Sequence, residues 1–185
     1  MVILTGKTCS GKNLVRDKLV NEHGFKSLIT YTTRPMRPGE IQDVTYHFIS
    51  EEEFDQKVKE NFFVEWEGYK TNKGTWYYGS SDSDIAKADN KTVAILTPDG
   101  IRDIISNGYN PIVIYIYSNL DTIKNRLKMR KDDEEEAKRR IASDIVDFHD
   151  VDMLANRIVY NNMNDDIEDV VNKMLDYYYK KVCKK

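Results

Sequence analysis

The apolar run Val2-Ile3-Leu4 leads into Gly6-Lys7-Thr8-Cys9-Ser10-Gly11-Lys12-Asn13, and residues 14–20 behind it can form a helix. Few local patterns restrict a fold so tightly. A strand that breaks at a glycine loop and turns into a helix aims backbone N–H groups and the positive end of the helix dipole at one point, a seat for an anion. Gly6 and Gly11 allow backbone angles and close approaches that a side chain would block, and Lys12 has the reach for the terminal phosphates of a nucleotide. The segment has the outline of a phosphate-binding loop, so Gly6, Lys7, Thr8, Cys9, Ser10, Gly11, Lys12 and Asn13 are the expected phosphate contacts. Asn13 stands where the pattern wants a Ser or Thr hydroxyl for Mg²⁺; its amide oxygen can bind a hard cation with a different reach, and it is the candidate metal ligand. Taken alone, the segment also suits a glycine-containing strand-to-helix turn with no ligand.

Periodicity places the rest. Leu14, Val15 and Leu19 give the first helix an apolar side, with His23-Gly24 as its stop, and residues 25–32 read as a strand. Residues 45–49 read as a short strand. Ser50 and Glu53 form a capping box for a helix carrying Phe54, Val58 and Phe62, and Phe63-Val64-Glu65-Trp66 follows with a carboxylate among bulky apolar groups. Glu65 is either an outward strand residue or a functional one. Residues 68–74 have hairpin-turn chemistry and residues 76–80 return as a strand, which makes residues 31–80 a small β-rich lobe with one helix.

Alternation then resumes, with strands at residues 92–97, 112–117 and 157–160. Between and after them lie a helix with Ile101, Ile104 and Ile105 that Asn107-Gly108 ends, and one with Leu120, Ile123 and Leu127 that Ser118 caps. A further helix carries an apolar stripe of Ala137, Ile141, Ile145 and Phe148, and the last runs from Ile167 to Tyr178. The expected class is α/β, a parallel sheet with helices on both faces, whose ligands sit at the carboxyl ends of the strands.

The totals exclude several functions. A chain of 185 residues fits one domain, with room for a small insertion, and a net charge of −3 offers no broad attraction to nucleic acid or an anionic membrane. No stretch of about 18 apolar residues exists and no basic, apolar leader opens the chain, so a cytoplasmic protein is expected. Cys9 and Cys183 are expected as free thiols, and His23, His47 and His149 lack metal-ligand spacing.

Two polar tracts remain. Arg34 and Arg37 sit three apart in the Pro/Gly-punctuated loop Thr32-Thr33-Arg34-Pro35-Met36-Arg37-Pro38-Gly39-Glu40, where guanidinium groups suit phosphate oxygens. Arg126, Arg130 and Arg139-Arg140 surround an acidic hinge, residues 132–136, between two helices. The first is also readable as a solvated turn, and the second, taken alone, reads more readily as a solvated helix pair.

Together these pieces resemble guanylate kinase along nearly the whole chain. The loop from Thr32 to Glu40, continuing to Tyr46-His47-Phe48, is similar to that family's T-T-R-x-x-R-x-G-E…Y-x-F stretch; Phe63-Val64-Glu65-Trp66 and Tyr77-Tyr78-Gly79-Ser80 resemble two further blocks in order. The resemblance implies transfer of the γ-phosphoryl group of ATP to GMP, and to dGMP as well, with Mg²⁺. Arg34, Arg37, Tyr46 and Tyr78 would hold the GMP phosphate, and Thr30, Glu65 and Ser80 would read guanine. Lys12, Arg34, Arg126, Arg130 and Arg140 would neutralise charge during transfer, and Asn161 in Val159-Tyr160-Asn161-Asn162 would lie on the ATP side. It further implies a core of residues 1–30, 82–125 and 141–185, a GMP lobe of 31–81 and a helical lid of 126–140. The chain departs from the family at Asn13, where Ser is usual, and at Thr97-Pro98-Asp99, where an acidic D-x-D pattern is usual and Asp99 is the nearest carboxylate. The turn between Glu65 and Tyr78 is also longer, adding Lys70, Lys73 and Trp76. A binding module without catalysis, or a kinase with another nucleotide or a sugar phosphate as acceptor, are the alternatives. Monomer and homodimer are equally open.

Overall fold

Val2, Ile3 and Leu4 are wholly buried, and β1 (Val2–Thr5) is accordingly a central strand with partners on both sides. The computed structural model of the chain describes residues 1–71 and 74–183. A five-stranded parallel sheet has the order β2-β7-β1-β8-β9, in which β2 is Lys26–Ser27, β7 is Thr92–Ile95, β8 is Ile112–Tyr117 and β9 is Arg157–Tyr160. Parallel strands buried on both faces need apolar runs rather than alternation, and Ile112-Val113-Ile114-Tyr115-Ile116-Tyr117 supplies one. On one face Val2, Leu4, Ile114 and Val159 pack with α1 (Lys12–Glu22) and α8 (Ile167–Val182) through Val15, Leu19, Val171 and Met174. On the other, Ile3, Ala94 and Val113 pack with Ile101 and Ile104 of α4 (Pro98–Ser106) and with Ile85 of α3 (Asp82–Lys87).

A second, mixed sheet of order β4-β3-β6-β5 contains β3 (Tyr31–Thr32), β4 (His47–Phe48), β5 (Phe63–Thr71) and β6 (Gly74–Ser81). Its own core forms around Phe54 of α2 (Glu51–Lys59), 1% exposed and stacked on Phe63 and Tyr77 with ring centroids 4.6 and 5.5 Å apart. The Ser50 hydroxyl accepts from Glu53 N–H at 3.1 Å, as the capping box requires.

Several sequence expectations change. Residues 25–32 are two short strands in different sheets, because the chain leaves the edge of the first sheet at Ser27 and enters the second at Tyr31. Phe62 lies past the end of α2, after Asn61 at φ 52° reverses the chain. Residues 68–71 belong to β5 rather than to a turn, since Gly68↔Tyr77, Tyr69↔Trp76 and Lys70↔Thr75 continue the antiparallel register. A Cβ on Gly68 would lie 2.9 Å from the Tyr77 ring, so glycine is what lets that ring lie across the strand. Lys73, which the sequence puts in this turn, lies outside the described residues.

Asn119, not Ser118, caps α5 (Leu120–Met129), accepting from Thr122 N–H at 2.8 Å; Ser118 is turned inward, where its hydroxyl bonds the Asn161 carbonyl. The stripe on α6 (Glu134–Asp147) does not enter the core: none of that helix's residues is buried, and Ile145 is 61% exposed. Short helices α3 and α7 (Val151–Leu154) are additions to the expected order; Ser81, which accepts from Asp84 N–H at 3.1 Å, is the local signal for the first. Among the described residues no helix is long and apolar enough to cross a membrane.

Candidate functional site

The loop after β1 is shaped from behind. Gly11 has φ 92°, and a Cβ there would collide with Asn161 Nδ2, while one on Gly6 would lie 2.6 Å from the Ile116 carbonyl. Cys9 also takes a positive φ, 54°. Asn161, 3% exposed at the end of β9, donates to the Ser10 carbonyl at 2.8 Å and accepts from Arg126 Nη2 at 3.2 Å. Its amide is thus committed to the loop's rear rather than open to a base. Arg126 also donates to the Cys9 carbonyl at 3.1 Å, and Arg130 approaches Cys9 Sγ at 3.3 Å. These two arginines stiffen the loop from one side.

In front of the loop lies an open cleft of about 370 Å³. Gly6, Thr8, Lys12 and Asn13 line one end; Thr30, Arg37, Tyr46, Glu65 and Tyr78 line the other; Glu136, Arg139, Arg140 and Asp144 of α6 form a third side. Lys12 Nζ donates to the Lys7 carbonyl at 3.2 Å, and burial lowers its pKa below the ordinary lysine value against the pull of Asp144. Arg140 Nε is 2.9 Å from Glu136, whose carboxyl is held at about 2, chiefly by the hydrogen bonds from Arg139.

At the opposite end Glu65 is 7% exposed and accepts from the Ser80 hydroxyl across the β5–β6 pair. Burial pushes it up to about 7 from 4.5. A Cβ on Gly100, at the start of α4, would be 2.9 Å from Glu65 Oε2, so that glycine makes the room the carboxylate occupies. Arg34 is 4% exposed; Nη1 and Nη2 grip Glu40 at 3.0 and 2.7 Å, and its guanidinium lies 5.5 Å from the Tyr46 ring centre. Arg37, by contrast, faces the cleft directly.

Of the residues singled out from sequence, the structure brings Gly6, Thr8, Lys12 and Asn13 of the loop, with Thr30, Arg37, Tyr46, Glu65, Tyr78 and Arg140, around one cleft; Lys7, Cys9, Ser10 and Gly11 do not line it. Ser80 supports Glu65 from behind. Asp99 is not brought in: its side chain is 73% exposed and paired with Arg102. The carboxylate that enters instead is Glu67, one strand repeat beyond Glu65, which accepts from the hydroxyls of Thr97 and Tyr69. Thr97 serves twice, because its oxygen also accepts from Gly100 N–H at 3.1 Å as the cap of α4. Glu67 and Asp144 have no marking in the sequence, and Arg139 and Thr97 are named there only as parts of longer tracts; the same-face spacing of Glu65, Glu67, Tyr69 and Thr71 is a period-two signal that could have found Glu67.

A phosphate loop at the carboxyl end of a central parallel strand, opening on a nucleotide-sized cleft, defines a P-loop α/β protein. The family model for guanylate kinase matches residues 1–179, and the chain belongs to the guanylate kinase family, a family of P-loop nucleotide kinases. It is 30% identical to a guanylate kinase of Clostridium tetani, over 100% of this chain and 87% of that one. Identity to a guanylate kinase of Sus scrofa is 31%, covering 77% of this chain and 74% of that one. The crystal structure of guanylate kinase from Anaplasma phagocytophilum shares the fold, with a TM-score of 0.70 at 17% identity, over 98% of this chain and 85% of that one.

Proposed function

We propose that this chain transfers the γ-phosphoryl group of ATP to GMP, and to dGMP, giving ADP and the nucleoside diphosphate. The observation that carries the reading is Glu65, a buried carboxylate braced by the Ser80 hydroxyl, in the same cleft as Lys12 and the phosphate loop. Guanine presents N1–H and the 2-amino group side by side, a donor pair that one carboxylate can accept and that adenine lacks. A base without that pair would leave Glu65 desolvated and unpartnered, a penalty of about 1–3 kcal/mol or more for a charged group. Thr30 lines the same cleft, and Glu67 extends the acceptor wall.

Arg37, Tyr46 and Tyr78 are assigned to the acceptor phosphate, with Arg34 holding their loop through Glu40. Residues 31–81 then act as the acceptor lobe, residues 126–140 as the lid, and the remainder as the core. Two phosphate groups brought to about 4 Å repel by roughly 4 kcal/mol per pair of unit charges at an effective dielectric near 20. Lys12, Arg139 and Arg140 supply the opposing charge from two sides of the cleft, while Arg126 and Arg130 act on the loop itself. Catalysis is positioning and charge neutralisation, since phosphoryl transfer asks little covalent chemistry of the protein.

Asn13 lines the cleft beside Lys12, and a Mg²⁺ that keeps most of its shell from phosphates and water needs one such oxygen. Asn13 would help hold the metal, which would supply positive charge opposite the phosphates. The test is ADP release from ATP and Mg²⁺ with GMP, dGMP, IMP, AMP, UMP, CMP and ribose bisphosphate as acceptors. Turnover with GMP and dGMP well above the others is expected. A folded sample that binds GMP yet turns over no acceptor would make the chain a binding module.

A further inference from the structure

The phosphate loop is already engaged by an anion, and that anion is part of the chain. Asp144 Oδ2 accepts a hydrogen bond from Thr8 N–H at 2.7 Å, across 136 residues. Lys12 and Lys7 attract the same carboxylate, Asp147 on its own helix repels it, and its burial beside the loop is substantial enough to raise its pKa. A loop N–H with a lysine ammonium nearby is the donor set that a terminal phosphate oxygen would engage. A carboxylate oxygen is an acceptor of the same kind.

We propose that Asp144 is an internal competitor for nucleotide phosphate: it fills the loop's phosphate seat, and the donor nucleotide displaces it. This rests on the loop being the ATP site. Two anions cannot share one N–H at hydrogen-bond distance, so an entering phosphate ejects the carboxylate. The second observation concerns the helix that carries it. None of the residues of α6 is buried, and Ile145 and Val146 are 61% and 69% exposed, so the helix is held to the molecule by surface contacts. The Thr8–Asp144 bond is one of them; the stack of Phe148, which caps the helix, on Tyr115 is another. Arg139 and Arg140 ride on the same helix and face the same cleft. Displacement of Asp144 therefore frees the element that brings positive charge to the phosphates, and loop occupancy becomes coupled to the position of those arginines. Donor nucleotide is in turn bound with an affinity reduced by the fraction of molecules in which Asp144 holds the seat.

The variants are Asp144→Ala, which clears the seat, and Asp144→Asn, which keeps the shape without the charge. Binding of ATP, of inorganic triphosphate and, separately, of GMP is measured by calorimetry on the full chain, with circular dichroism to establish folding. Asp144→Ala is expected to bind ATP and triphosphate about tenfold more tightly, Asp144→Asn to fall between it and the unaltered chain, and GMP affinity to stay within twofold. Should ATP affinity stay the same or weaken in both folded variants, the competitor is refuted. ATP and GMP affinities moving together would also refute it, because a merely structural aspartate would disturb both. The two readings fail separately: an unaltered, folded chain that binds no ATP sinks the kinase assignment, whereas one that binds ATP with unresponsive variants sinks only the competitor.

Discussion

Glu65→Gln separates stability from recognition, because the carboxylate proposed to read guanine is a burden on the fold. Burial pushes Glu65 up to about 7 from an ordinary 4.5, with the Ser80 hydrogen bond pulling the other way. The folded chain therefore holds this proton more tightly than the unfolded chain does. Unfolding free energy falls as pH rises through that window: no cost is present below about pH 4.5, and the whole cost is present above about pH 7. At roughly 1.4 kcal/mol per pH unit, the window corresponds to about 3 kcal/mol. Glutamine is neutral throughout and keeps an oxygen for the Ser80 hydroxyl. At pH 8 the variant should be more stable by up to about 3 kcal/mol, a rise in Tm of about 6–12 °C for a chain of this size, with no gain at pH 4.5. The same change sets an amide N–H against guanine's own donors, so GMP should bind about 10- to 100-fold more weakly. GMP affinity of the unaltered chain should itself fall below pH 7, since a protonated carboxyl accepts only half of the donor pair. Calorimetric melting at pH 4.5 and pH 8 with GMP titration at pH 8 reads all of this. A Tm for the variant at pH 8 equal to or below that of the unaltered chain would refute the reasoning.

Gly100→Ala adds a Cβ 2.9 Å from Glu65 Oε2, and alanine favours the helix by about 1 kcal/mol, so Tm should change little while GMP binding weakens about tenfold; unchanged GMP affinity would show that the carboxylate has room to spare. Asn161→Ala removes the buried amide that bonds the Ser10 carbonyl and Arg126, and should cost about 2 kcal/mol, seen as a Tm lower by about 4–8 °C. Lys12→Ala should reduce turnover about 10²- to 10³-fold and leave the GMP dissociation constant within twofold, as steady-state rates and a GMP titration will show. Collapse of GMP affinity with turnover intact would place Lys12 at the acceptor instead.

The parts of the site readable in sequence are those written in consecutive residues. The phosphate loop is one, because strand, glycines, lysine and helix follow each other directly. The arginine loop is another. Glu65 was ambiguous for a physical reason: alternation in a strand shows that every second residue shares a face, and does not show which face is covered. Only the pairing with Ser80 and the approach of Gly100 decide that. Residues 25–32 misled because β-branched and aromatic residues suit either sheet, and nothing local marks the change of partner after Ser27. The stripe on α6 had the right period and the wrong destination, since Asp144 and Arg140 face a cleft where a core was expected. Asp99 was nearer in sequence, but Glu67 was nearer in space, delivered by a strand thirty residues before Thr97.

The sheet order sets the time at which this site can exist. Among the described residues β1 pairs only with β7 and β8, so the first strand made gains its hydrogen-bonding neighbours there only once residues 92–95 arrive, and the loop behind it is completed by Ser118 and Asn161. During synthesis the phosphate seat is thus encoded first and assembled last. A chain ending at residue 150 would carry every residue of the loop and lack the Asn161 amide, just past β9, that shapes it, and it should bind no ATP; firm binding by that fragment would show the loop to be self-sufficient. Such an order ties formation of the phosphate seat to near-completion of the fold, and a partly made chain carries the loop's residues without its shape.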